Sequence, residues 1–206
     1  MLQTLDQRLW SLPFDLHPLR DAVWQQRARG VNMHPDGTVE VAPMPWVGPE
    51  AYAFVLYPSP PPGWVAEFHE RTGRTVPEPY AAVLSALNGC FAFALALFGL
   101  PPSLHGRPPH HRRALEPLDL EAANRYWTRD YRDADGEFHL GGRTWSDTES
   151  VGYFLDPGGA YRCRRKSGEI LGEWPSLREL LAQELPAAES RERERWTGRS
   201  WPWEVR

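Results

Sequence analysis

Apolar residues recur along this chain in two rhythms, and the changes of rhythm mark its elements. Across residues 1–30 lie Leu5, Leu9, Trp10, Leu12, Leu16, Leu19, Val23 and Trp24, interrupted by Pro13 and Pro18. Short helices and an irregular arm both fit that stretch. Asp36-Gly37 is a turn signal, and residues 38–41 then alternate polar and apolar as a strand does. Residues 51–57 are a second β-prone run, rich in aromatic and branched side chains. Ser59-Pro60-Pro61-Pro62-Gly63 is a stiff break and the best candidate boundary.

Beyond that break the period lengthens. Trp64–Thr72 is predicted to be a short helix with Val65 and Phe68 on one face and Gly73 as its stop. Residues 76–87 predict a stronger one. Pro79 suits its first turn, and Tyr80, Val83, Leu84 and Leu87 fall at i, i+3, i+4 and i+7. Asn88-Gly89 is read as its left-handed C-cap. In residues 91–97 large apolar side chains alternate with alanine, the pattern of one strand buried on both faces. A buried Ala/Leu helix is the competing reading.

Residues 101–117 form a loop, and Asp119 caps a helix running to about Trp127. An acidic turn follows at residues 130–137. Four strands of a meander are predicted at Phe138–Thr144, 151–156, 160–165 and 169–174, with glycine-bearing turns between the later ones. Ser176 and Glu179 form a capping box for a helix with Leu177, Leu180, Leu181 and Leu185 on its apolar stripe. From Ala187 the chain alternates Glu and Arg and then carries three tryptophans.

Composition narrows the class. The chain has 206 residues, of which 41% are hydrophobic and 24% charged, so a globular fold is expected. Its 17 Gly and 21 Pro fall short of the roughly 25–30% typical of low-complexity disorder. A net charge of −4 makes a dedicated nucleic-acid binder unlikely as a class. Two cysteines, Cys90 and Cys163, are too few for a disulfide scaffold or a four-cysteine zinc site. The longest apolar run, residues 90–98, is nine residues against the roughly 20 of a membrane helix. No secretory signal is visible, so a cytoplasmic protein with free thiols is expected.

The standard catalytic signatures are absent: no G-x-S-x-G, H-E-x-x-H, C-x-x-C or phosphate loop occurs. No catalytic residue, metal or cofactor is therefore assigned. Asp133-Ala134-Asp135-Gly136 resembles the start of a calcium loop but lacks the remaining ligands, which favours a solvated turn. His105, His110 and His111 share a Pro-Gly-rich loop with Arg107, Arg112 and Arg113. The three arginines are a candidate anion patch, weighed against a solvated loop. No cysteine or carboxylate nearby completes a metal set with the histidines. Arg162, Arg164, Arg165 and Lys166 form a second basic run, read as a solvated face. Cys163 between arginines would have a lowered thiol pKa, whereas Cys90 is read as core.

The order of these elements is similar to the SUKH superfamily, which includes fungal cell-wall-synthesis regulators of the Smi/Knr type and bacterial toxin-immunity proteins. The likeness rests on the Trp64–Thr72 helix, Val76-Pro77-Glu78-Pro79-Tyr80, a helix closing at Asn88-Gly89, and the apolar run to Leu97-Phe98-Gly99. It continues with Phe138-His139-Leu140-Gly141, a following hairpin, and Trp174-Pro175-Ser176-Leu177 with Leu180-Leu181. The resemblance implies an α+β fold: a single domain with a mixed or antiparallel sheet of about four to six strands and helices packed on one side. It divides the chain into an N-terminal extension (1–61), a SUKH-like domain (62–186) and a Trp-rich tail (187–206).

It also implies a non-enzymatic protein-binding module, an immunity protein that neutralises a cognate toxin by direct contact. Toxin nucleases have basic sites, so acidic surface would steer association. The candidate partner contacts are therefore Asp130, Asp133, Asp135 and Glu137, with Trp196, Trp201 and Trp203 of the tail as possible docking anchors. The alternatives are a regulatory scaffold, or a small hydrolase or nucleic-acid-processing enzyme using the loop at residues 105–113.

Overall fold

Nine strands follow one another as an unbroken antiparallel meander, each hydrogen-bonded to the next in sequence. They are β1 (Val31–Met33), β2 (Val39–Pro43), β3 (Tyr52–Pro58), β4 (Leu87–Ala92), β5 (Leu95–Leu97), β6 (Phe138–Thr144), β7 (Ser150–Leu155), β8 (Tyr161–Arg164) and β9 (Ile170–Trp174). Among the described residues there are six α-helices: α1 (Leu5–Trp10), α2 (His17–Gln26), α3 (Trp64–Thr72), α4 (Glu78–Ala86), α5 (Leu120–Arg125) and α6 (Leu177–Arg195). The computed structural model describes residues 4–48, 50–105, 116–145 and 149–195.

The class is α+β as expected, but the sheet has nine strands, not four to six. Two things make it larger. Residues 1–61 contribute β1, β2 and β3, and β3 pairs with β4 through Phe54–Ala92, Val55–Phe91 and Leu56–Cys90. The run at residues 91–97 is also not one strand. It reverses between Ala92 and Leu95 into the β4–β5 hairpin, with Phe93 in the left-handed region at φ 54°. That unfavourable backbone is offset by the Phe93 N–H, which donates to Ala53 at 2.6 Å, and by its ring against Phe54 at 5.1 Å.

Asn88-Gly89 also serves a different purpose from a helix cap. α4 ends at Ala86, and both residues lie in β4. Gly89, at φ 77°, lets two backbones meet: a Cβ there would sit 2.6 Å from the Leu97 carbonyl oxygen. The Asn88 amide pairs with both backbone groups of Leu100, at 2.8 and 2.7 Å, as a neighbouring strand would.

The N-terminal arm is helical and buried on one side. Thr4 and Gln7 form a reciprocal capping box at α1. Pro18 starts α2 rather than breaking it. Leu9, Leu16, Leu19 and Val23 are fully buried in the main core. α2 packs on α6, and α6 continues through Pro186 to Arg195, beyond the expected domain end at residue 186. Ala188 and Glu192 of that continuation are buried.

Neighbours on a strand face opposite ways, and β7 shows what covers each side. Tyr153 reaches α6, while Phe154 packs against Tyr131 and Ala134 in a small separate cluster. Helices α3 and α4 meet the sheet through Phe68 and Tyr80, both against Phe138. On the Phe154 side the cover is the segment between α5 and β6.

Candidate functional site

That covering segment carries most of the acidic residues singled out in the sequence. Ahead of it, Asp119 caps α5 by accepting hydrogen bonds from the Glu121 and Ala122 N–H groups at 2.8 and 3.0 Å. α5 is then tied to the sheet by Asn124, whose amide donates to the His139 carbonyl at 2.9 Å and accepts from its N–H at 3.0 Å. A short 3-10 turn, Trp127–Asp130, leads into residues 131–137. Arg74 braces both ends, donating to the Asn124 carbonyl at 3.2 Å and the Glu137 carbonyl at 2.7 Å.

The acidic residues divide into two kinds. Asp130, Asp133 and Asp135 are exposed. Glu137 is 3% exposed and faces inward. Arg164 grips its carboxylate with two bonds of 2.7 Å, and Arg162 adds a third at 2.9 Å. Arg162 also meets Asp156 at 2.8 Å and Glu173 at 2.6 Å. The basic run on β8 is therefore an internal clamp at Arg162 and Arg164, not a solvated face. Alternation put these two arginines on one side, and the partner on that side is Glu137.

The clamp braces the turn into a platform. Ala134 and Tyr131 are buried beneath it, and the Arg132 N–H donates to the Lys166 carbonyl at 3.2 Å. Three aspartates are displayed outward, interleaved with exposed Arg129 and Arg132, and Asp130 faces Lys166 at 3.3 Å.

Beside this platform is a cleft of about 330 Å³ that no sequence motif announced. Phe91, Phe98, Trp127 and Tyr131 supply its aromatic walls, and Asp130 and Lys166 stand at its polar rim. His139 borders it and is 2% exposed. Both imidazole nitrogens are closed off from solvent, with the Gly141 and Ala123 backbone groups as the polar atoms that act on the ring. The ring stacks on Phe154 at 4.3 Å, with Phe98 and Tyr131 edge-on at 5.1 and 5.3 Å. Burial pushes its pKa down to about 3, opposed by hydrogen bonding to the Gly141 and Ala123 backbone. The imidazole is neutral at physiological pH.

The thiols lie elsewhere. Cys90 and Cys163 are free and buried, and desolvation pushes both up to about 12. At Cys163 burial outweighs Arg143, and its chain neighbours Arg162 and Arg164 are turned toward Glu137. The expected lowering of that thiol is reversed. Among the described residues no three His, Cys, Asp or Glu side chains are grouped to hold a metal ion.

The His/Arg loop and the tail tryptophans fall mostly outside the described residues. Arg107, His110, His111, Arg112 and Arg113 lie there, as do Trp196, Trp201 and Trp203. The backbone of His105 ends a 3-10 turn, Pro102–His105. No described helix is long and apolar enough to cross a membrane. Comparison of the chain with family models, with curated proteins and with solved structures returned no match.

Proposed function

We propose that this chain is a non-enzymatic protein-binding module of the cytoplasm, an immunity-type protein that neutralises a basic toxin domain by contact through its acidic platform. The observation that carries this reading is the contrast between Glu137 and its neighbours. Glu137 is spent inside on Arg162 and Arg164, which holds Asp130, Asp133 and Asp135 outward on a braced turn. A preorganised loop loses little conformational freedom on binding, so more of its contact energy appears as affinity. Clustered carboxylates favour a basic partner and speed encounter with it. The ordered motifs that resemble the SUKH superfamily support the same reading, and the two unpaired thiols suit a reducing compartment.

The test is co-expression with the product of the adjacent gene, followed by gel filtration and a growth assay. The expected result is a stable complex and rescued growth. The triple variant Asp130→Asn, Asp133→Asn, Asp135→Asn should stay folded while binding at least tenfold more weakly at low salt. A triple variant that binds and protects as well as the parent chain would remove the platform from the interface. Absence of both complex and rescue would count against immunity itself.

A further inference from the structure

A second pocket, of about 410 Å³, opens between the end of α3, the end of α5 and the close of the acidic turn. Three arginines line it, Arg74, Arg125 and Arg129, and among the described residues Asp135 is the one carboxylate in its wall. Arg125 is already held by Glu121 at 3.1 Å. The ion pairs formed around the pocket belong to Arg71 and Arg125; among the described residues neither Arg74 nor Arg129 forms one. Arg74 is the unusual member. It is half-buried, and its guanidinium donates only to two backbone carbonyls, of Asn124 at 3.2 Å and Glu137 at 2.7 Å. Asn124 and Gly136, the neighbour of Glu137, both line the pocket, so these bonds hold the guanidinium between two of its walls. A guanidinium has five N–H donors, and three of those of Arg74 have no partner among the described residues. Burial lowers its pKa, and no neighbouring carboxylate raises it again. At Arg143, Arg162 and Arg164, by contrast, Glu184 and Glu137 supply the opposing charge that a desolvated cation ordinarily has.

We propose that this pocket binds the phosphoryl group of a small phosphate ester, with Arg74 and Arg129 as its principal ligands and Arg125 as a further donor. A phosphoryl group presents three strong acceptor oxygens that point in different directions. The three arginines come from three stretches, the loop after α3, the end of α5 and the 3-10 turn after it, and so reach such a group from different walls. A planar carboxylate is matched by a single arginine fork and would use fewer of them. The volume lies within the roughly 300–1,000 Å³ of small-molecule pockets, which leaves room for the organic part of the ester beside the phosphoryl group. Tyr126, 55% exposed, stands in the wall and offers that part a ring face. Asp135 is the lining group that repels this ligand, so its charge is a direct handle on the affinity.

The experiment titrates the full chain with phenyl phosphate, inorganic phosphate and glutarate by isothermal calorimetry at low salt. Saturable binding of phenyl phosphate is expected, tighter than that of glutarate and weakening as salt is added. Arg129→Ala, at an exposed position, should keep the fold and bind about fivefold more weakly, as fits the loss of one exposed charge. Arg74→Lys keeps the charge but removes the fork, and should weaken binding at least as much. Asp135→Asn should tighten it by a similar factor. No saturable binding of phenyl phosphate, glutarate bound as tightly, or an affinity unchanged in folded Arg129→Ala or Asp135→Asn would each overturn the proposal. Inorganic phosphate should bind more weakly than the ester, and equal affinity would overturn the assignment of an ester. The sign at Asp135 separates this proposal from the partner-binding reading: its loss is expected to weaken a basic protein partner and to strengthen the phosphate ester, so either can fail alone.

Discussion

The hydroxyl of Tyr153 donates to the carboxylate of Glu184 at 2.5 Å, joining the centre of β7 to the middle of α6. The same carboxylate oxygen accepts from the Arg143 guanidinium on β6. All three side chains are largely buried, so the cluster works as one unit. Removing the carboxylate strands a cation, whereas removing the hydroxyl leaves the ion pair whole. Glu184→Ala should therefore cost about 3–5 kcal/mol and Tyr153→Phe only about 0.5–1.5 kcal/mol. Urea unfolding of the two variants measures the difference, and equal losses would contradict this account.

Glu137 and its exposed neighbours should separate cleanly in stability. Glu137→Gln leaves Arg162 and Arg164 without their shared carboxylate charge and should cost roughly 2–4 kcal/mol. Asp133→Asn and Asp135→Asn should stay within about 0.5 kcal/mol of the parent chain. Thermal melts at one pH decide the matter. A Glu137 variant as stable as the aspartate variants would show that the clamp does not hold the turn.

His139 gives the fold a sign of pH dependence that can be stated in advance. The unfolded imidazole has a pKa of about 6.5. The folded one is pushed down to about 3 by burial. Between these values the unfolded chain holds a proton that the folded chain does not. Stability therefore falls as pH drops from about 6.5 toward 3, by up to about 1.4 kcal/mol per pH unit, and is unaffected above that window. His139→Phe should flatten this part of the profile. The comparison is urea midpoints of both chains at pH 7, 6 and 5, and parallel curves would refute it.

Gly152 is where the His139 stack meets the sheet. A Cβ at this position would lie 2.5 Å from Cε2 of Phe154 and 2.9 Å from Nε2 of His139. Gly152→Ala must push the two rings apart and should destabilise by about 1–3 kcal/mol. It should also move the aromatic signals of His139 and Phe154 in an NMR spectrum. A variant with parental stability and unmoved rings would show that the stack tolerates the methyl group.

The thiols should be silent until the chain unfolds. With both pushed up to about 12, very little thiolate exists at pH 8. Iodoacetamide should leave Cys90 and Cys163 unmodified over a time in which denatured chain takes two labels. Mass spectrometry reads the count, and a fast single modification of native protein would restore the case for a reactive Cys163.

Local pattern was enough to find most elements. The 3.6 period with Pro79 placed α4, and the meander reading, with glycine-bearing turns between its later strands, placed β6 to β9. The acidic turn was legible as charge, and Arg162 and Arg164 were legible as sharing a side. These features depend on near neighbours in the chain, and near neighbours are what a sequence displays. The burial of Glu137 was not legible, because its two arginines arrive from β8, 25 and 27 positions later. Nor was the hairpin at residues 91–97. An alternating apolar run satisfies one long strand and two short ones equally, and only pairing with β3 and β6 selects the fold-back at Phe93.

The opening stretch shows the same division. Its apolar residues left short helices and an irregular arm both open, and docking against α6 made that arm part of the main core. The cleft is wholly tertiary: its walls come from β4, from the stretch after β5 and from the turn after α5. Periodicity thus determined most of the helices and strands and the presence of a charged turn. Which charges are spent inside was decided by contacts between residues far apart in the chain.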